Sequence, residues 1–144
     1  MLPKLTPNRL LAKSVEGRWK GSYCLPGHTA DVVRAVTLIL DILGDRIIEQ
    51  FGLTCSLDYL RKTARLAAYI HDWGKANDHF QAVVRRYTIG ASPQRNPMEE
   101  PQLLRHEVLS MLLAWEFRKW LQQADGDFMT ALVAAGGHHL TNGR

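Results

Sequence analysis

An all-α fold is what this sequence predicts, and three features make the prediction. Apolar residues recur at i, i+3 and i+4 in segment after segment, no stretch alternates apolar and polar as a half-buried strand does, and there is no internal repeat or low-complexity tract. The first helix follows the turn "CLPGH". There Val32, Val33, Val36, Ile39, Leu40 and Leu43 fall on one face, and His28, four residues before Val32, extends that face toward the N-terminus. The second opens on Ser56, whose hydroxyl suits the unpaired backbone N–H groups of a first turn, with Asp58 close behind it. Its stripe is Leu60, Ala64, Ala67, Ala68 and His71. A short third helix takes "FQAVVRRY". The segment "GASPQRNPMEEP" carries three prolines, which exclude regular structure, and reads as a surface loop. From Leu103 a long amphipathic helix sets His106 in line with Leu109, Leu113 and Phe117. The turn "ADGD" leads into a last helix, where Phe128, Leu132, Ala135 and His139 share a face until "GGHHL" breaks the pattern.

Composition sets the class. The chain has 144 residues, 46% of them apolar and 22% charged, which is ordinary globular usage for one domain over residues 1–144. With 18 Lys and Arg against 14 Asp and Glu the net charge is +4, compatible with a polyanionic partner without requiring one. Two separated cysteines, Cys24 and Cys55, make neither a disulfide framework nor a zinc knuckle, so a reducing cytoplasm is the expected home. No run approaches the roughly 18 apolar residues of a membrane span.

The chemistry lies in the histidines. A single buried imidazole ordinarily needs no more than one carbonyl partner, but five of the six histidines, His28, His71, His106, His138 and His139, fall on inward faces or at helix ends, and Asp72 joins them. Packed as one bundle, those helices bring the six groups to one place, as facing helices do in helical metal proteins. A carboxylate offers two oxygens to two cations while neutral imidazoles fill the remaining positions. That mixed donor set suits manganese, iron, cobalt or nickel better than magnesium. Two such ions serve phosphodiester hydrolysis by activating a water and neutralising the attacked phosphate. Lys75, one turn from Asp72, adds a point charge for phosphate oxygens or simply caps a helix C-terminus. Gly74 lets the chain turn sharply after the ligands. His79, beyond that break, reads as a surface residue.

The order His28, then His71-Asp72 with Gly74-Lys75, then His106, then His138-His139 resembles the HD superfamily of metal-dependent phosphohydrolases. Within it the chain is most similar to the HD nuclease domain of the CRISPR-associated type I helicase-nuclease. "HDWGKANDHFQ", "RHEVLS" and "AAGGHHL" look like that family's blocks. The HD dipeptide alone is a weak signal; the ordered set with its doubled histidine is what carries the likeness. The resemblance implies a compact helical HD-domain bundle with a metal site between the helices. It implies two divalent metal ions, one on His28, His71 and Asp72, the other on Asp72, His106, His138 and His139, with Lys75 facing the scissile phosphate. The implied substrate is single-stranded DNA, cleaved in interference against foreign DNA. The implied partners are a helicase domain or subunit and a CRISPR RNA-guided effector complex. A related HD domain in the large subunit of type I-D effector complexes shares these features.

One departure stands out. The family pattern closes with a further Asp, whereas no acidic residue follows His139 here, so the domain is expected to be truncated at its C-terminus. Asp31, one helical turn from His28, is the alternative ligand. For nucleic acid, Arg61, Lys62 and Arg65 on the second helix, and Arg85 with Arg86 on the third, flank the site and are the candidates to hold a phosphate backbone, although charged helix faces are ordinarily just solvated. Trp115, Phe117 and Trp120 read as core, and Trp73 as the aromatic placed to stack on a base. Three functions fit: a metal-dependent DNA nuclease, an HD phosphohydrolase acting on nucleotides or signalling nucleotides, and a non-catalytic HD-like module of an effector complex. The two-cation donor set favours the first, and the missing Asp favours the third.

Overall fold

Pro26 in the first turn, where its missing N–H costs nothing, starts helix α1 (Leu25–Phe51), and Gly52 ends it in the left-handed conformation at φ 57°. This is the computed structural model of the chain, describing residues 10–13, 22–88 and 105–139, with backbone alone at 86–88. The proline-bearing segment and the expected helix start at Leu103 lie outside those residues. Helix α2 (Leu57–Ile70) opens as the sequence predicts, the Ser56 hydroxyl accepting from the Tyr59 N–H. A 3-10 turn (Trp73–Lys75), α3 (Asp78–Thr88), α4 (His106–Glu116), α5 (Arg118–Leu121), a second 3-10 turn (Gln122–Ala124) and α6 (Phe128–Gly137) complete the order. No strand occurs among the described residues; Leu11 and Cys24 form one isolated antiparallel bridge.

The helices pack around α2. Helix α1 lies along one side of it and α6 along another, while α4 contacts α6 and the first 3-10 turn. The core is Leu66, Ile70, Ala114, Leu121, Phe128, Ala131, Leu132 and Ala135. Thr63 ties α2 to the start of α6, its hydroxyl accepting from the Asp127 N–H, while the Asp127 carboxylate caps α6 through Thr130.

Three expectations change. The long fourth helix is two: the chain breaks at Phe117 (φ −91°, ψ 13°), which returns Leu121 to the core and turns Phe117 and Trp120 outward. Trp115, Phe117 and Trp120 are therefore not core; they are 48%, 52% and 53% exposed. On α1 the predicted stripe is buried at Leu40, yet Ile39 and Leu43 are exposed, because this 27-residue helix packs chiefly on the 14-residue α2. On α2, flanked on two sides, the burial extends past the predicted stripe to Leu66 and Ile70.

Candidate metal centre

Every proposed ligand sits at the end of an element. His28 is in the first turn of α1, His71 ends α2, Asp72 follows it, His106 begins α4, and His138 and His139 come directly after α6. Asp72, 1% exposed in its side chain, is the centre of the cluster and divides its two oxygens. Oδ2 lies 3.2 Å from His28 Nε2, 3.2 Å from His71 Nε2 and 2.7 Å from Lys75 Nζ. Oδ1 lies 3.5 Å from both His106 Nε2 and His138 Nε2. His139 closes the second set, its ring centroid 4.9 Å from that of His106 and 4.1 Å from that of His138. Two groups of donors result, His28, His71 and Asp72, and Asp72, His106, His138 and His139, each with its ligand atoms within 4.8 Å of one another.

The local chain explains why these groups point inward. His71 Nδ1 donates to the Ala68 carbonyl and His138 Nδ1 to the Ala135 carbonyl. A carbonyl only accepts, so each ring is held by its Nδ1–H and turns Nε2 toward Asp72. Ser110, fully buried, fastens the HD turn to α4: its hydroxyl accepts from the Gly74 N–H and donates to the His71 carbonyl, both at 2.8 Å. Gly74 permits that approach, since a Cβ there would stand 1.9 Å from the His106 carbonyl oxygen. Buried Gln81 holds the far end of the turn, donating to the carbonyls of Lys75 and Leu11.

Electrostatics prepares the cluster for a cation. Burial pushes the Asp72 carboxyl upward, but the His106 and His71 rings and the Lys75 ammonium outweigh it and hold the group ionised, well below the usual carboxylate range. Burial lowers His28 against the opposing pull of the Asp72 carboxylate, and lowers His139 with the His138 and His106 rings adding to it, which favours the neutral, ligand-ready form of both near pH 7. Both Asp72 oxygens and both ring nitrogens of His106 are buried without a well-directed hydrogen bond. Orphaned donors of that kind are what a metal ion satisfies, and a carboxylate among neutral imidazoles fits a divalent transition ion.

All six predicted ligands thus meet at one place. Asp31 does not join them; its carboxylate accepts from the Ser22 N–H and pairs with Arg34. Lys75 is turned inward onto Asp72, its side chain 13% exposed. Among the basic candidates, Arg61 pairs with Asp41 and Lys62 with Asp58, Arg65 is exposed, Arg85 is half-buried, and the Arg86 side chain lies outside the described residues. His79 is exposed, as expected. Sequence reasoning missed Ser110 and Glu107. The one mark of Ser110 in the sequence is a hydroxyl one turn after His106, a residue type with many ordinary uses on a helix. Glu107 is 4% exposed, with Oε2 3.4 Å from His106 Nδ1, on the side of the ring away from Asp72; its only signal is its position beside His106 in a helix's first turn.

Comparison with known proteins agrees with this geometry. Residues 11–142 match the family described as "Cas3, HD domain". Over 139 residues, 91% of this chain, the sequence is 40% identical to a protein of Myxococcus xanthus (strain DK1622) bearing the name CRISPR-associated nuclease/helicase Cas3. The chain spans 17% of that relative's length. No solved structure matches it. Family match, identity and the ordered set of ligands in one cluster agree: the chain belongs to the Cas3 HD-domain family.

Proposed function

We propose that this chain is a metal-dependent nuclease that cleaves single-stranded DNA in type I CRISPR interference, in a prokaryotic cytoplasm, beside a helicase and an RNA-guided effector complex. The observation that carries the reading is the divided carboxylate of Asp72, one oxygen toward His28 and His71, the other toward His106 and His138. Two donor sets sharing one carboxylate suit a phosphodiester, whose attacking and leaving oxygens both need charge neutralised, better than they suit a single-ion phosphohydrolase. Divalent ions held there would supply an acidified water and positive charge at the phosphate. The residues do the rest. The Ala68 and Ala135 carbonyls hold His71 and His138 with Nε2 toward Asp72, Asp72 stays ionised, and Lys75, the cation already in the cluster, meets phosphate charge when substrate displaces it from the carboxylate. The relative's name couples a nuclease to a helicase, which is the support for a helicase partner.

The test is Asp72→Asn, which keeps the shape and removes the charge. Cleavage of single-stranded DNA in manganese should fall about a hundredfold or more, the scale of losing one transition-state stabiliser, while the circular dichroism spectrum stays that of the parent. Undiminished cleavage would remove Asp72, and the metal centre built on it, from the reaction; a parent chain that does not cut would remove the nuclease reading.

A further inference from the structure

Two of the aromatic residues that leave the core, Phe117 and Trp120, collect with Tyr69 around Trp73. Trp73, the residue after Asp72, stacks on Trp120 with centroids 6.5 Å apart and planes at 23°. It meets Tyr69 edge-on at 5.4 Å and Phe117 at 6.2 Å. Trp73 itself packs on the core, yet Tyr69, Phe117 and Trp120 are 41%, 52% and 53% exposed. Bare rings gathered this closely are more than the scattered apolar residues of an ordinary surface.

Beside them is a cleft of about 580 Å³ lined by Tyr69 and Trp120, by Val33 and Leu66 at its apolar side, and by Lys62 and Arg65. That size lies within the range of sites that take a small organic group. Lys62, Arg65 and Tyr69 follow one another at i, i+3 and i+7, so one face of α2 presents two cations and a ring. Lys62 shares its charge with exposed Asp58 one turn away, a weak pair in water. Arg65 is exposed and has no acidic partner among the described residues. Open π-faces for bases and exposed cations for phosphates are together what holds a single strand.

We propose that the cleft between Tyr69 and Trp120 is a base-binding subsite that takes an unpaired nucleobase of single-stranded DNA, with Arg65 and Lys62 on the adjoining phosphates. The proposal rests on the nuclease reading and deepens it: Trp73 joins the cleft to the metal centre, by a peptide bond to Asp72 and a ring stack to Trp120, so the subsite anchors a flank of the strand being cut.

The experiment uses the whole chain and a fluorescein-labelled oligothymidylate, titrated by anisotropy in EDTA so that binding is read without cleavage. Trp120→Ala should weaken binding about tenfold, the scale of losing one stacked base, and Trp120→Phe should recover most of it. Arg65→Ala should weaken binding and lower its salt dependence by about one phosphate contact. A strand of abasic sites should bind the parent weakly and lose nothing further with Trp120→Ala. If Trp120→Ala binds oligothymidylate as the parent does, or loses equal affinity for the abasic strand, the subsite is overturned and the aromatic patch is left as a protein-contact surface. Cleavage separates the two readings. A parent chain that cuts DNA while Trp120→Ala binds normally keeps the nuclease and loses the subsite. A parent that never cuts, while Trp120→Ala weakens binding, keeps the subsite and loses the nuclease.

Discussion

Asp72, His28 and His139 hold their protonation states because the fold surrounds them, and this sets how the chain responds to acid. His28 and His139 are lowered from 6.5 by burial and neighbouring charge, so the unfolded chain takes up their protons first. Where the unfolded state binds more protons, stability falls as pH falls. Asp72, lowered from 3.8, acts in the same direction further down, because its ionised form favours the fold until it too is protonated. In EDTA the urea midpoint should therefore be flat from pH 8 to 7, decline as pH passes below about 6.5, and decline again below about 3.8. A midpoint unchanged between pH 7 and 5 would show that these rings are not held neutral. The identities of these residues were legible because few side chains serve a divalent ion, and their helical context told which way they point. Ser110 and Glu107 were not, because a hydroxyl or carboxylate on a helix has many ordinary uses. What distinguishes Ser110 is a pair of hydrogen bonds to residues 36 and 39 positions away.

At the scale of elements, the 3-10 turn after Asp72 and the first turn of α4 are one unit. Gly74 lies against the His106 carbonyl oxygen and the Leu109 side chain, leaving no room for a methyl group. Gly74→Ala should force the turn away from α4, costing about 1–3 kcal/mol in urea unfolding and weakening manganese binding by the group containing His106. Unaltered stability and metal affinity would mean that the contact is not needed to align Asp72 with His106. The spacing of apolar residues revealed that each helix exists, since period 3.6 is a local property. It did not reveal the break at Phe117, which falls at no glycine or proline. That break is set by the return of Leu121 to the core, a long-range contact that no window of sequence contains. The exposure of Trp120 follows from the same break.

At the scale of the molecule, the all-α bundle and the meeting of its ligands were both predictable, because helices with histidines at their ends have few ways to pack that bury their stripes. Which arcs stay bare was not, since that depends on how many neighbours each helix finds. The outer face of α1, with Leu38, Ile39 and Ile42 exposed, is the clearest case. The placement of every ligand at a helix end has one further consequence. A metal ion held by them would cross-link chain segments far apart in sequence, closing long loops much as a set of disulfides would, but reversibly and at a strength set by free metal. Ion binding and folding would then be one equilibrium, and the melting temperature a readout of metal identity that needs no substrate. Manganese at a hundred times its dissociation constant should stabilise the fold by about 2.7 kcal/mol, EDTA should reverse that shift, and Asp72→Asn should melt at nearly the same temperature with or without the ion. Equal melting of the parent chain in manganese and in EDTA would mean that the helix ends are held together by packing alone.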